Sequence, residues 1–353
     1  MKRRWLTPYF LSLALCLGLG HQPLTAQTPE LGTLLRQAKQ SVAARDVPGA
    51  ITLYRQAASL AQDNPQIWES LGYLLVYQGQ YAEAAEAYEQ ALALDPENPD
   101  YYDGLGFSYS YLGQLDRALT AYSSALSLDP QNPKYLQALG VVFLRLGDYE
   151  RLAETAAQLL TLAPGNVEAQ ILKGSGLVQG GRWREAIAFL QPLQRNRPAN
   201  LELALLLAKA QGGEGDLDAA KATLTPWLQS EPEHFTFWLT WGELLEKEKN
   251  FSEALESYQT ARRSAPESPE IQLAMGRVYL ELGQTREAIR TLRGLTERFP
   301  QQAEVFYLLG LAYSRTSQPE PGRRYLQQAR ELFQKQNNSA GVGKTQELLQ
   351  KVY

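Results

Sequence analysis

The sequence predicts an all-α protein, a linear array of helical hairpins with a period of 34 residues. Three observations predict it. In the stretch PQIWESLGYLLVYQGQYAEAAEAYEQALALDPEN, residues 65–98, Trp68, Leu71, Gly72 and Leu75 recur at the three-and-four spacing of one helix face. A second face follows, made by Tyr81, Ala84, Tyr88 and Ala91, where small residues let two backbones approach and rings fill the space beside them. Gly79 and Pro96 then punctuate the pattern, ending the first and the second helix.

At the start of the chain, Lys2, Arg3 and Arg4 precede an apolar run over residues 9–20 and a polar patch that contains Ala26. That order describes a secretory signal peptide over residues 1–26, and the run is short for a membrane span. A twin-arginine signal has little support around Arg3-Arg4, and a lipid-attachment box at Leu13-Ala14-Leu15-Cys16 would require a small residue where Leu15 stands. The mature protein is therefore expected outside the cytoplasm, periplasmic or extracellular, with an uncleaved membrane anchor as the alternative. Cys16 and His21 fall within the signal, which leaves the mature chain without cysteine and with His234 alone. Disulfides cannot hold it together, so packing must.

After a short linker over residues 27–30, nine units follow without a gap: 31–64, 65–98, 99–132, 133–166, 167–200, 201–234, 235–268, 269–302 and 303–336. Asn64, Asn98, Asn132, Asn166 and Asn200 precede successive units, each suited to cap a helix N-terminus. Pro65, Pro99 and Pro133 take the first helical position, where a missing amide hydrogen costs nothing. Eight positions into the unit stand Gly72, Gly106, Gly140, Gly174, Gly242, Gly276 and Gly310, with Ala38 and Ala208 in the other two. A helix-interior glycine costs about 0.5 to 1 kcal/mol relative to alanine, so its return asks for close helix packing. The partner expected for it is the recurring alanine twelve residues on, from Ala50 and Ala84 to Ala288. The turn between helices is assigned to Gly79, Gly113, Gly147, Gly181, Gly215 and Gly283.

Trp68-x-x-Leu71-Gly72, then Ala84-x-x-x-Tyr88 and Pro96, resembles the tetratricopeptide-repeat pattern, with Leu75 where a tyrosine is usual and Tyr109 restoring it one unit later. The resemblance covers residues 31–336. It implies stacked hairpins winding into a right-handed superhelical α-solenoid, with first helices lining a concave groove. End units need covering, and residues 337–353 read as a capping helix that offers Leu348, Leu349 and Val352. Pro319 and Gly322 predict a poor start to the last second helix. Pro192 and Pro226 stand inside second helices, and Gly212 and Gly213 at the end of a first helix; together they predict a kink within 167–234.

Charge and reactive groups narrow the function. The formal charge is -4 for the whole chain and -7 once the three basic residues of 1–26 are removed, which argues against a nucleic-acid binder. Residues 31–166 carry 8 basic and 15 acidic side chains against 23 and 22 in 167–353, so a basic or mixed partner is expected on the acidic half. A single histidine rules out a histidine pair for zinc, and His234 sits in a cap slot. Gly341-Val342-Gly343-Lys344-Thr345 lacks the earlier glycine of a phosphate loop, since residue 338 is Asn338, and Gly174-Ser175-Gly176 lacks the third glycine of a dinucleotide fingerprint. Glu83, Glu86 and Glu89 lie on the outer side of a helix, as a solvated face. No cofactor, metal or catalytic residue is assigned.

In the family that the chain resembles, positions 2, 5, 9, 12 and 13 of the first helix face the groove. Here the resemblance implies Gln66, Glu69, Tyr73, Val76 and Tyr77, then Asp100, Asp103, Phe107, Ser110 and Tyr111, then Lys134, Gln137, Val141, Leu144 and Arg145. Glu69, Tyr73, Tyr77, Asp100, Asp103, Phe107, Tyr111 and Arg145 form the candidate partner site, carboxylates beside rings able to bury apolar groups and pair with basic ones. These residues do not match the lysine and asparagine set of the family's carboxylate-clamp members. The reading is a noncatalytic scaffold that binds a protein or peptide, a basic or apolar segment, in bacterial envelope assembly or export. The alternative is a carbohydrate- or polymer-handling envelope protein whose groove aromatics stack on sugars.

Overall fold

Helix starts follow the caps. The Oδ1 atoms of Asn64, Asn98 and Asn132, each followed by proline, accept from the amides of Gln66, Asp100 and Lys134 at 3.0 to 3.2 Å. Asn166 and Asn200, where proline is absent, accept one residue later, from Ala169 and Leu203 at 2.9 and 3.0 Å. His234 caps through its backbone carbonyl, which accepts from Phe237 and Trp238, while its ring lies parallel to that of Phe235. All six assigned turn glycines have positive φ, from 71° to 100°. Arg45, Lys249 and Asn337 take the same left-handed conformation at turns that lack glycine.

The computed structural model describes residues 29–228, 230, 234–316 and 319–352; the expected signal peptide, residues 1–26, lies outside them. Nineteen helices are found among the described residues, and they form two compact units divided between Leu146 and Gly147. The first unit holds α1 (Pro29–Ala43), α2 (Val47–Leu60), α3 (Pro65–Gln78), α4 (Tyr81–Leu94), α5 (Pro99–Tyr111), α6 (Leu115–Leu128) and α7 (Pro133–Leu146). The second begins with α8 (Tyr149–Leu162), α9 (Val167–Gln179), α10 (Trp183–Asn196), α11 (Leu201–Glu214) and α12 (Leu217–Leu224). It continues with α13 (Phe235–Lys247), α14 (Phe251–Ser264), α15 (Pro269–Glu281), α16 (Thr285–Arg298), α17 (Ala303–Ser314), α18 (Pro319–Lys335) and α19 (Ser339–Val352). Within each unit, consecutive helices pack in order, and from α3 to α7 and from α9 onwards each first helix also touches the first helix of the next hairpin. Among the described residues no helix is long and apolar enough to cross a membrane.

The recurring alanines are fully buried, from Ala50 and Ala84 through Ala288. The glycine's partner, however, is the side chain four residues beyond the alanine. A Cβ on Gly72, Gly106 or Gly242 would fall 2.5 to 2.9 Å from the rings of Tyr88, Tyr122 or Tyr258. On Gly174, Gly276 or Gly310 it would meet Leu190, Leu292 or Leu326 at 2.4 to 2.6 Å. Tyr88 is enclosed on a second side by Gly104 of the next first helix, where a Cβ would come 2.2 Å from the ring. The antiparallel course of the hairpin brings that later side chain over the glycine, while the alanine admits the backbone beside it.

Local breakers are overruled where packing is strong. α10 runs without interruption through Pro192, whereas α12 stops at Leu224 and passes into a 3-10 turn, Thr225–Trp227, that contains Pro226. α11 stays helical through Gly212 and Gly213, and both sites are closely packed: a Cβ there would strike Leu244 at 2.6 Å or Trp183 at 2.5 Å. Pro319 opens α18 instead of weakening it. The capping contact also differs from expectation. α19 buries Gly341 against the Phe333 ring and Thr345, whose hydroxyl donates to the Gly341 carbonyl, while Val352 stays exposed. The phosphate-loop-like string is thus a packing face.

Two glycine substitutions should move stability in opposite directions. Gly242→Val forces a side chain into the Tyr258 ring and is expected to cost about 1 to 3 kcal/mol. Gly343→Ala meets nothing within 4 Å and should stabilise α19 by up to about 1 kcal/mol. Urea midpoints of the two variants check both signs.

Candidate functional site

In the first unit, α3, α5 and α7 bring their N-terminal halves side by side, and the candidate carboxylates gather there. Asp103 is buried, its side chain 4% exposed, and accepts the Lys134 ammonium at 2.6 Å. Lys134 also stands 4.0 Å from Asp100, whose Oδ1 accepts from the Tyr135 hydroxyl at 3.3 Å. Glu69 completes the group: its carboxyl is raised above the ordinary glutamate value, by burial first and by Asp100 second, with Lys134 pulling the other way. Tyr88 reports the same field. Its hydroxyl is pushed well up by burial and then by Glu69, Asp103, Tyr73 and Asp100. Tyr101 and Tyr135 are raised as well, burial leading and Glu69 or Asp100 following. This face is a buried-edge cluster of carboxylates and phenols with one resident cation, suited to holding positive charge beside aromatic surface.

The candidate aromatics stand at the other ends of the same helices. Tyr77 is 53% exposed and Tyr111 is 42% exposed, so both rings reach solvent. Phe107 is packed, at 9%. It lies 4.6 Å from the Tyr111 ring, and Tyr81 of α4 stacks on Tyr111 at 4.5 Å and 24°. The result is a shelf of Tyr81, Phe107 and Tyr111 with Tyr77 exposed on α3. Tyr81 was not among the sequence candidates, because it starts a second helix.

Arg145 has an inward task. Its Nη1 donates to the Ser110 carbonyl at 2.5 Å, at the end of α5. The second unit repeats this twice: Lys247 donates to the Gly212 carbonyl at 2.6 Å and Arg315 to that of Leu280. All three cations occupy position 13 and all three carbonyls position 12 of the preceding unit. A cation is thereby placed at the negative end of a neighbouring helix, on a last-turn carbonyl; those of Ser110 and Leu280 also accept from the turn amides of Gly113 and Gly283. The recurrence of basic residues at position 13 was the signal in the sequence.

A second ion-pair row, also missed in the sequence, joins first helices in the second unit. The Arg277 guanidinium of α15 reaches both Glu246 oxygens of α13 at 3.0 and 3.3 Å, and Glu304 of α17 at 3.3 Å. The Tyr258 hydroxyl donates to Glu246 at 2.8 Å. Glu246, Arg277 and Glu304 hold positions 12, 9 and 2, three of the five groove positions, so the same positional rule extended to later units would have found them.

Comparison with known proteins follows the geometry. Models described as TPR repeat match residues 72–113 and 108–147, and models described as tetratricopeptide repeat match 136–168, 205–269 and 245–312. No curated protein matches the chain. Among solved structures, a tetratricopeptide repeat protein from Parabacteroides merdae is similar at 17% identity and a TM-score of 0.58, over 71% of this chain and 99% of that one. The human IFIT1 dimer with m7Gppp-AAAA is similar at 17% identity and a TM-score of 0.60, over 92% and 81%. The APC/C hetero-tetramer Cut9-Hcn1 matches at 14% identity and a TM-score of 0.50, over 92% and 85%. At such identities the likeness is one of fold.

Two measurements probe the site. Because folded Glu69 keeps its proton to higher pH than unfolded glutamate, its contribution to stability falls as pH rises from about 4 towards neutrality; Glu69→Gln should remove that part of the fall in urea midpoints. Arg145→Ala leaves the end of α5 without its cation and should lower the first unit's stability by about 1 kcal/mol, read by the same method.

Proposed function

The chain belongs to the tetratricopeptide-repeat family, an α-solenoid that serves as a protein-interaction scaffold, and we propose that this member binds a polypeptide segment on the first-helix face of residues 29–146. The observation that carries the reading is the pair of solvent-exposed rings, Tyr77 and Tyr111, on the same helices as the Glu69, Asp100 and Asp103 carboxylates. Tyr88 and Tyr122, which fill the glycine gaps of the hairpins, are buried, whereas Tyr77 and Tyr111 are exposed. The segment it takes carries basic and apolar side chains, since the 29–146 unit holds 13 acidic and 7 basic residues. Burial of an apolar side chain on the shelf contributes about 25 cal/mol per Å², offset by the ordering of the bound segment. The role is noncatalytic, and the basic-apolar order of residues 1–26 supports placing it in the cell envelope, in assembly or export.

The test is capture of envelope partners by proximity labelling, followed by direct binding of the recovered segment. Tyr77→Ala with Tyr111→Ala should weaken binding by at least tenfold with helical content unchanged. Unchanged affinity removes the site from this face. Binding of purified glycans with no polypeptide partner would replace the reading by the carbohydrate alternative, in which Tyr77 and Tyr111 stack on sugar rings.

A further inference from the structure

The first-helix face of residues 29–146 has two chemically different ends, held a fixed distance apart. Asp100, Phe107 and Tyr111 recur at intervals of seven and four residues, so they follow one stripe along α5. Asp100 and Tyr111 are separated along the helix axis by about 16 Å, at about 1.5 Å per residue. On α3 the span from Glu69 to Tyr77 is shorter, about 12 Å.

The acidic end holds more negative charge than its resident cation balances. Lys134 stands 2.6 Å from Asp103 and 4.0 Å from Asp100, one ammonium for a group of carboxylates that also includes Glu69. Glu69 and Asp100 repel one another, and the Asp100 side chain is 65% exposed, within reach of a cation from outside. The other end reverses these properties. Tyr111, Leu112 and Leu144 are all exposed there, and the cation beside them, Arg145, is held on the Ser110 carbonyl. An apolar side chain gains at that end, whereas a second cation meets Arg145.

Between the two ends α5 offers little to hold: Asp103 is buried and Phe107 is packed. A helix laid along α5 would need a continuous apolar seam, whereas an extended chain touches both ends and arches over the middle. An extended chain covers 12 to 16 Å in about four or five residues. We propose that the bound segment is extended and bipartite, with an arginine or lysine on Glu69 and Asp100 and, four or five residues away, a large apolar side chain on Tyr111 and Leu112. This rests on the first-helix face being the binding site, and adds the spacing of the side chains that the face selects.

Titration of the full chain into fluorescent serine-glycine peptides tests the proposal. Each peptide carries one arginine and one leucine, set two, five or eleven residues apart and in both orders. The five-residue spacing, in one of the two orders, should bind about tenfold tighter than the other spacings. Glu69→Gln with Asp100→Asn should abolish that advantage, with helical content unchanged, and should leave the weaker binding of a control peptide with glutamine for arginine as it was. Equal binding at all spacings overturns the proposal, as does tightest binding at eleven, which is the spacing of a helix, or a preference for five that the Glu69 and Asp100 variant keeps. Binding indifferent to spacing but lost with Tyr77→Ala and Tyr111→Ala overturns the bipartite segment and leaves the first-helix face as the site. Binding indifferent to those two substitutions as well removes the face itself. A series in which no peptide binds overturns the bipartite segment, and the face is then judged by the captured envelope partner alone.

Discussion

The structure depends on a cavity of one side chain's depth in six of its first helices. Gly72, Gly106 and Gly242 leave room for Tyr88, Tyr122 and Tyr258, and Gly174, Gly276 and Gly310 do so for leucines. The glycine costs its helix about 0.5 to 1 kcal/mol, while burying a large apolar side chain gains about 1.5 to 3, so the exchange favours the hairpin. Once seated, the ring or leucine sets the distance and rotation of the second helix. In the case of Tyr88 it also receives the next first helix through Gly104. Registration therefore passes from hairpin to hairpin through contacts that no single hairpin could make alone.

That geometry explains why charge on the first-helix faces is shared between repeats. Lys134 joins α7 to the carboxylates of α5, and Arg277 joins α15 to Glu246 before it and Glu304 after it. Each cation serves a neighbouring unit's acid, so neither is placed by the packing of its own hairpin. Half-buried pairs of this kind specify alignment more than they add stability. In the first unit the Lys134 pairs leave a polar face on the helix α5 that also carries Tyr111.

Much of the fold was legible in the sequence because its signals are local. The asparagine caps, the proline after three of them and the glycine turns each act within four residues, and the structure places them as the 34-residue register requires. Signals that depend on a neighbour were less legible. The glycine's partner was assigned to the alanine and is the following tyrosine or leucine, since antiparallel packing decides what lies opposite. Gly212 and Gly213 look like breakers but are closely packed against the side chains of Leu244 and Trp183. At the candidate site, Glu69, Asp100 and Asp103 lie near one another, together raising the Tyr88 hydroxyl. Position numbers could not separate an exposed Tyr77 from a packed Phe107, nor show that Arg145 is committed to the Ser110 carbonyl.

The position-13 cations give the array a direction. Arg145, Lys247 and Arg315 each complete a helix end that was made 35 residues earlier, and none reaches forward. During synthesis the N-terminal repeat emerges first. The first helices α5, α11 and α15 then lack their terminal cation until the following hairpin is in place. At these three joints a hairpin that has already formed still waits on its successor for the charge at one helix end.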